Sequence, residues 1–168
     1  MSAIMAAKIA GCAKIIAVGG NPKSLELARE LGATHTINRR ETENIVEIIR
    51  TQITDGGCDY AIDTSGTENF VKKALACVRF MGTAVVLGAT GDVTLNIQNE
   101  LMGDAKSLIG IVEGDAIPKL FIPQLLDYYR RGKFPFDRLI HFYPFEQINE
   151  AFEDSHSGKC IKAVLRME

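Results

Sequence analysis

No apolar run in the sequence is long enough to cross a bilayer, since a spanning helix needs about 20 consecutive apolar residues. Residues 2–10 are apolar, but no cationic leader precedes them and Lys8 interrupts them. A secretion signal is therefore not expected, and the default compartment is the cytoplasm. A basic block is also missing. Lysine and arginine number 19 against 21 acidic residues, the net charge is −2, and the signs alternate along the chain. The electrostatic footprint of nucleic-acid binding is thus absent. The four cysteines, Cys12, Cys58, Cys77 and Cys160, form no C-x-x-C pair. That spacing excludes a zinc knuckle or dithiol redox motif and leaves four reduced thiols packed as small apolar groups. His35, His141 and His156 stand in no H-E-x-x-H or similar spacing with acids such as Asp63, Glu113 and Asp115. No metal ligand, catalytic residue or general base is assigned on that basis. There is no internal repeat, low-complexity tract or long linker.

What is present is an ordinary globular composition of 168 residues, 46% hydrophobic and 24% charged, enough for one domain with a real core. Periodicity predicts a helix over 2–11 whose flat face holds Ala3, Ala7, Ala10 and Gly11, suited to lying close to a sheet. The β-branched run over 14–18 predicts a buried strand, broken by Gly19, Gly20, Asn21 and Pro22. A helix follows from Pro22 to Leu31, with Leu25, Ala28 and Leu31 facing inward and Gly32 as its stop. The pattern continues with a strand over 34–37, a helix over 44–54 with Ile45, Ile48, Ile49 and Ile53 inward, and a strand over 60–64. Thr67 is placed to cap a helix running to about residue 78. Met81 and Gly82 turn into a strand over 83–87, followed by a loop over 88–92, a strand over 107–112 and an amphipathic helix over 118–131. The tail reads as a strand over 139–142, a helix over 145–153 and a strand over 160–166. Strands alternating with helices of this length predict an α/β fold with a parallel sheet covered on both faces and right-handed crossovers. Near 133–144 the composition shifts, as Phe134, Pro135, Phe136, Phe142, Tyr143, Pro144 and Phe145 cluster.

Several segments carry a family likeness: KIIAVGGNPKSLELARELGATHTIN, GGCDYAIDTSGT, GTAVVLGAT, SLIGIVEGD, and the stretch from FIPQLLDYYRRGKFPFD through F-x-x-I-N-x-A to KCIKAVL. Together they resemble the medium-chain, zinc-dependent alcohol dehydrogenases, and within them the aryl-alcohol (benzyl alcohol) dehydrogenase branch. The likeness runs the whole length of the chain, and LGATH-x-IN is its most specific part. It implies a Rossmann-type doubly wound sheet. Family members are about twice this long, and their other half carries a catalytic zinc on Cys and His ligands. The first Rossmann strand and its G-x-G-x-x-G loop have no counterpart here, so strands 14–18 and 60–64 are expected to flank its place, either leaving a gap there or closing together, rather than complete a six-stranded sheet. The resemblance implies a truncated dinucleotide-binding domain over 1–133 and a segment over 134–168 that would return to the catalytic domain.

The resemblance also suggests a set of cofactor positions. The strand over 14–18 usually ends in an acidic residue that accepts hydrogen bonds from the adenosine ribose of NAD. Here that position is Gly19. Without the carboxylate a 2'-phosphate is tolerated, and Asn21 and Lys23 could donate to it, so NADP is favoured over NAD. The structural alternative is a Gly-Gly-Asn-Pro turn with a solvated lysine. Thr64 and Ser65, at a strand's C-terminal end, would lie along the adenosine, where open α/β sheets bind ligands; the alternative is a plain helix cap. Leu87, Gly88, Ala89, Ile111 and Val112 would hold the nicotinamide, with Ala89 and Val112 also lining the substrate pocket; ordinary strand ends are the alternative. Lys162 stands where relatives often have an arginine that pairs with the pyrophosphate, although exposed lysines are common.

Two functions remain in view. One is the cofactor platform of an oxidoreductase, moving hydride between a primary, aromatic alcohol and a nicotinamide, with zinc acting as Lewis acid in the intact enzyme. The other is a non-catalytic module that binds a dinucleotide or dimerises. The expected partners are an alcohol or aldehyde and a second copy joined through the sheet edge near Ser107 and Val112, with no nucleic acid or membrane.

Overall fold

The computed structural model describes residues 1–167. The chain forms two compact units. One comprises Met1–Glu41 with the segment from Pro118 onward, and the other is Thr42–Ile117.

In the first unit, helix α1 (Ser2–Ile9) is followed by strand β1 (Ile16–Gly19), helix α2 (Pro22–Leu31) and strand β2 (His35–Asn38). The start of α2 is built locally. Pro22 sits in its first turn, and Asn21 Oδ1 accepts the Lys23 N–H at 3.0 Å, so one orphan donor is satisfied and the fixed proline φ suits the first turn. Gly32, at φ 128°, ends the helix in a conformation other residues rarely adopt. β1 and β2 run parallel, from Ile16 opposite His35 to Gly19 opposite Asn38. The Thr34 hydroxyl brackets the ladder, accepting from Ile15 N at 2.8 Å and donating to Ile15 O at 3.1 Å.

The core of this part is Ile15, Ala17, Ala28 and Ala33, with Met1, Ile4, Ala7 and Leu25 packed against it. The buried face of α1 therefore differs from the flat face predicted. Met5 is fully buried and Ile4 and Ala7 pack inward, while Ala10 and Gly11 are exposed. The large apolar side chains decide the facing because they carry most of the area to remove from water; truncating Met5 to alanine would cost roughly 2–5 kcal/mol.

The remainder of this unit holds helix α5 (Pro118–Arg130), strand β6 (Ile140–Pro144), helix α6 (Ile148–Ser157) and strand β7 (Lys162–Arg166), with β6 and β7 parallel. Gly158 closes α6 in the left-handed conformation, at φ 73°. The buried Tyr143 hydroxyl donates to Asp154 Oδ2 at 2.8 Å and ties β6 to α6.

The second unit opens with a short helix, α3 (Ile45–Glu47), that passes directly into a π-helical turn over Ile48–Ile53. One continuous α-helix over 44–54 was predicted; Ile45 and Ile49 are buried as expected, but the backbone is mostly π-wound. Strand β3 (Cys58–Asp63), helix α4 (Glu68–Cys77), strand β4 (Val78–Val86) and strand β5 (Ser107–Gly110) follow, with a second π turn over Ile97–Met102 that the sequence pattern did not suggest. The three strands are parallel in the order β3-β4-β5 around Leu75, Val78 and Ala84.

Two local expectations are corrected here. β4 starts at Val78, before Met81 and Gly82, because a register shift between Cys58 and Tyr60 lets Val78 pair with Cys58, with Met81 at φ 58° absorbing the irregularity. Thr67 is the N-cap of α4 by position, but its side chain makes no cap bond; its hydroxyl lies 3.2 Å from Ser65 Oγ instead. The strands fall into three separate ladders, β1-β2, β3-β4-β5 and β6-β7, so no six-stranded sheet forms among the described residues. No helix among them is long and apolar enough to cross a membrane.

Candidate cofactor-binding loops

The first candidate loop leaves β1. Gly19 ends the strand, and its carbonyl accepts the Arg39 N–H at 2.9 Å. A side chain at Gly19 would meet Leu25, whose Cδ2 lies 3.1 Å from the place of a Cβ, so glycine here accommodates the packing of Leu25 against the end of β1 and is not needed for backbone shape. Asn21 spends its carbonyl oxygen on the helix cap, which leaves its amide N–H groups as donors. Lys23 is exposed in the first turn of α2, where its ammonium adds to the positive end of the helix dipole. Gly19, Asn21 and Lys23 thus share one loop that carries donors and positive charge and no carboxylate.

The second candidate region joins the ends of β3 and β4, and Asp63 organises it. Its buried carboxylate accepts Ser65 N at 3.1 Å and Ser65 Oγ at 2.7 Å on one oxygen, and Gly66 N at 3.0 Å on the other. Its backbone carbonyl accepts Leu87 N at 2.9 Å and Gly88 N at 3.3 Å. Sequence reading treated Asp63 only as an acid near histidines. The Asp-Thr-Ser-Gly run, an Asx-turn signal, was the clue to its role.

The reason for Gly88 also lies inside the protein. A methyl group there would sit 2.8 Å from Gly66 Cα. The bare face of Gly88 is filled by the chain's own Ser65–Gly66 turn. Thr64 and Ser65 are exposed at the end of β3, and Leu87 and Ala89 at the end of β4. Ile111 adjoins them, its N–H bonding Val86 O at 3.1 Å, and Val112 beyond it is 79% exposed. Lys162 is exposed at the start of β7, opposite Ile140 in the ladder. The structure therefore gathers Thr64, Ser65, Leu87, Gly88, Ala89 and Ile111 around one set of strand ends, and keeps Gly19, Asn21 and Lys23 on the loop in the other unit.

For a zinc ion the donor set does not fit. Among the described residues no three His, Cys, Asp or Glu side chains come together, whereas a catalytic zinc needs three protein ligands. Cys77 is buried, and burial, with Cys58 nearby, pushes its thiol up to about 11, far from a metal-binding thiolate. For a dinucleotide the chemistry of the residues fits: no carboxylate stands at the end of β1, and amide donors and a cation stand on the loop that follows it.

Residues 1–128 match the family model described as zinc-binding dehydrogenase. The chain is 38% identical over 170 residues to geraniol dehydrogenase of Castellaniella defragrans, covering 98% of this chain and 44% of that protein. An alcohol dehydrogenase zinc-binding domain protein from Burkholderia ambifaria superposes with a TM-score of 0.94 at 45% identity, over 99% of this chain and 45% of its own. Benzyl alcohol dehydrogenase from Acinetobacter calcoaceticus superposes at 0.93 with 39% identity, over 99% of this chain and 46% of its own. The chain thus spans less than half the length of the relatives it matches. Its α/β fold with parallel sheets is that of the Rossmann-like, nucleotide-binding half of zinc alcohol dehydrogenases.

Proposed function

The chain belongs to the zinc-binding dehydrogenase family, and from that premise we propose that it is the cofactor platform of an NAD(P)-dependent alcohol dehydrogenase acting on primary, aromatic alcohols. The observation that carries this reading is the match over 99% of the chain to part of a benzyl alcohol dehydrogenase. A relative that acts on geraniol is compatible with this reading, because geraniol, although not aromatic, shares with benzyl alcohol a primary carbinol carbon next to an unsaturated carbon.

When bound, a nicotinamide cofactor supplies the hydride acceptor. The chain's own residues bind and orient it. Gly19 places no carboxylate against the ribose, and Asn21 and Lys23 donate to a 2'-phosphate, which favours NADP. Thr64 and Ser65 lie along the adenosine, and Lys162 neutralises pyrophosphate charge. Leu87, Gly88 and Ala89, with Ile111 and Val112, present strand-end backbone groups and apolar surface to the nicotinamide ring, and the Asp63 network keeps those ends from moving. Residues 134–168 return to a further domain, which provides the zinc ligands this chain lacks. Copies of the chain pair through the open edge of β5 near Ser107 and Val112.

The test is activity of a protein in which this chain is joined to such a domain. Benzyl alcohol oxidation coupled to NADP reduction supports the reading; binding of the cofactor with no turnover of any primary alcohol refutes it.

A further inference from the structure

Gly20 needs a reason to be glycine that its backbone does not supply, because its φ lies outside the left-handed region. What stands over it supplies the reason. A methyl group on Gly20 would lie 3.0 Å from Arg40 Nε, 3.2 Å from Arg39 Nε and 3.5 Å from Arg40 Cγ. Two guanidinium stems therefore cross the bare face of this glycine, and a side chain there would make them shift by a few tenths of an ångström. The turn that carries them is held in place. Arg39 N bonds Gly19 O at 2.9 Å, Arg40 N bonds Asn38 Oδ1 at 3.1 Å, and Glu41 N bonds Asn38 O at 3.1 Å. Glu41 is the sole carboxylate in the segments 19–23 and 38–41, and it accepts the Asn38 amide at 2.5 Å. Lys23 is exposed on the same loop as Gly20. Two exposed arginines with planar forks thus lie over Gly20, and Lys23 is exposed on the loop that follows it.

We propose that Arg39 and Arg40 are specificity-determining residues that clamp the 2'-phosphate of an adenine dinucleotide above Gly20. The proposal rests on the dinucleotide reading above and assigns to the turn after β2 the larger part of the preference for a phosphorylated ribose. A phosphate monoester dianion matches the chemistry: it offers three acceptor oxygens to guanidinium donors, and it relieves the repulsion between two adjacent cations. An unphosphorylated ribose offers hydroxyls that need no such charge. Lys23 contributes a point charge, whereas the arginines contribute geometry.

The experiment measures dissociation constants of 2',5'-ADP and 5'-AMP for the 168-residue chain by calorimetry, for the wild type, R39A/R40A and R39K/R40K, with thermal melts to establish that each variant is folded. The wild type is expected to prefer 2',5'-ADP. R39A/R40A should lose about tenfold to a hundredfold in affinity for 2',5'-ADP and little for 5'-AMP, and R39K/R40K should recover part of the loss. If R39A/R40A keeps the wild-type preference, the arginine clamp is wrong and the NADP reading stands on Lys23 and Asn21. An equal loss for both ligands also overturns the clamp, because the arginines would then serve the adenosine or the fold. A wild type that binds neither ligand, or binds both equally, overturns the NADP reading and the clamp together.

Discussion

Gly66 and Gly88 meet backbone to backbone, so close that a methyl group on Gly88 would lie 2.8 Å from Gly66 Cα, and one on Gly66 would collide with the Ala89 carbonyl. The contact locks the turn after β3 to the loop after β4, and Gly66 is also held at φ 67°. Gly66→Ala should destabilise the chain by on the order of 2–4 kcal/mol, combining left-handed strain with overpacking. Gly88→Ala should cost about 1–3 kcal/mol from overpacking alone. Gly110→Ala, where open space surrounds the new methyl, should stay within about 0.5 kcal/mol. Urea unfolding of the three variants checks the order, and a Gly88→Ala chain as stable as Gly110→Ala would contradict the contact.

Acid should unfold the second half of the first unit selectively through Asp154. Its carboxyl is held below the ordinary value of 3.8 by the hydrogen bond from Lys159, then by the one from Tyr143, against the opposing effect of burial. A lowered folded pKa means stability that is fully present above the unfolded pKa and is lost as pH falls through the folded one. Stability should therefore decline below about pH 4, and Asp154→Asn should flatten that decline. Denaturation midpoints measured across the acid range decide it; an unchanged acid profile in Asp154→Asn would assign the loss to other carboxylates.

Much of this fold was legible in the sequence. The helix from Pro22 to Leu31 was read to the residue because an Asn cap, a first-turn proline and a terminal glycine mark its ends. The parallel strands showed as β-branched runs. Long-range packing was not legible. The π turns at Ile48–Ile53 and Ile97–Met102 have no composition signal of their own, and the early start of β4 depends on a register shift set by its pairing with β3. At the candidate site, Gly19, Asn21 and Lys23 are proposed from the family resemblance, which marks the end of the strand over 14–18, and they adjoin in sequence. The approach of Arg39 and Arg40 to Gly20 has no signal in the sequence, because it is made by the return of the chain through β2.

Cofactor choice should respond to Gly19→Asp in a protein that joins this chain to a catalytic domain of the kind proposed above. The new carboxylate would accept ribose hydroxyls of NAD and repel a 2'-phosphate. Since one charge-assisted hydrogen bond contributes roughly 1.5–3 kcal/mol, the NAD preference should rise by about tenfold to a hundredfold. Leu25 must yield a few tenths of an ångström, because its Cδ2 lies 3.1 Å from the Cβ position, so some stability should be lost as well. Lys23→Ala should weaken NADP and spare NAD, with an effect that shrinks as salt is added. Equal effects of Lys23→Ala on both cofactors would reduce that lysine to a solvated surface charge.

The isolated chain should bind no stoichiometric zinc and oxidise no benzyl alcohol, since the described residues gather no set of three ligands. Metal analysis after dialysis and a coupled assay check this directly. Turnover by the pure 168-residue chain would place the catalytic machinery within it and contradict the division of labour proposed here.

The most direct test of the platform reading is a titration of NADPH and of NADH into the purified chain, followed by cofactor fluorescence. Saturable binding of both, tighter for NADPH, is the predicted result, because the proposed platform takes the adenosine that both cofactors share, whereas the proposed role of Lys23 is toward the 2'-phosphate alone. Failure of either cofactor to saturate would contradict the claim that this chain is a dinucleotide platform, and saturation with NADH the tighter ligand would contradict the assignment of its specificity loop.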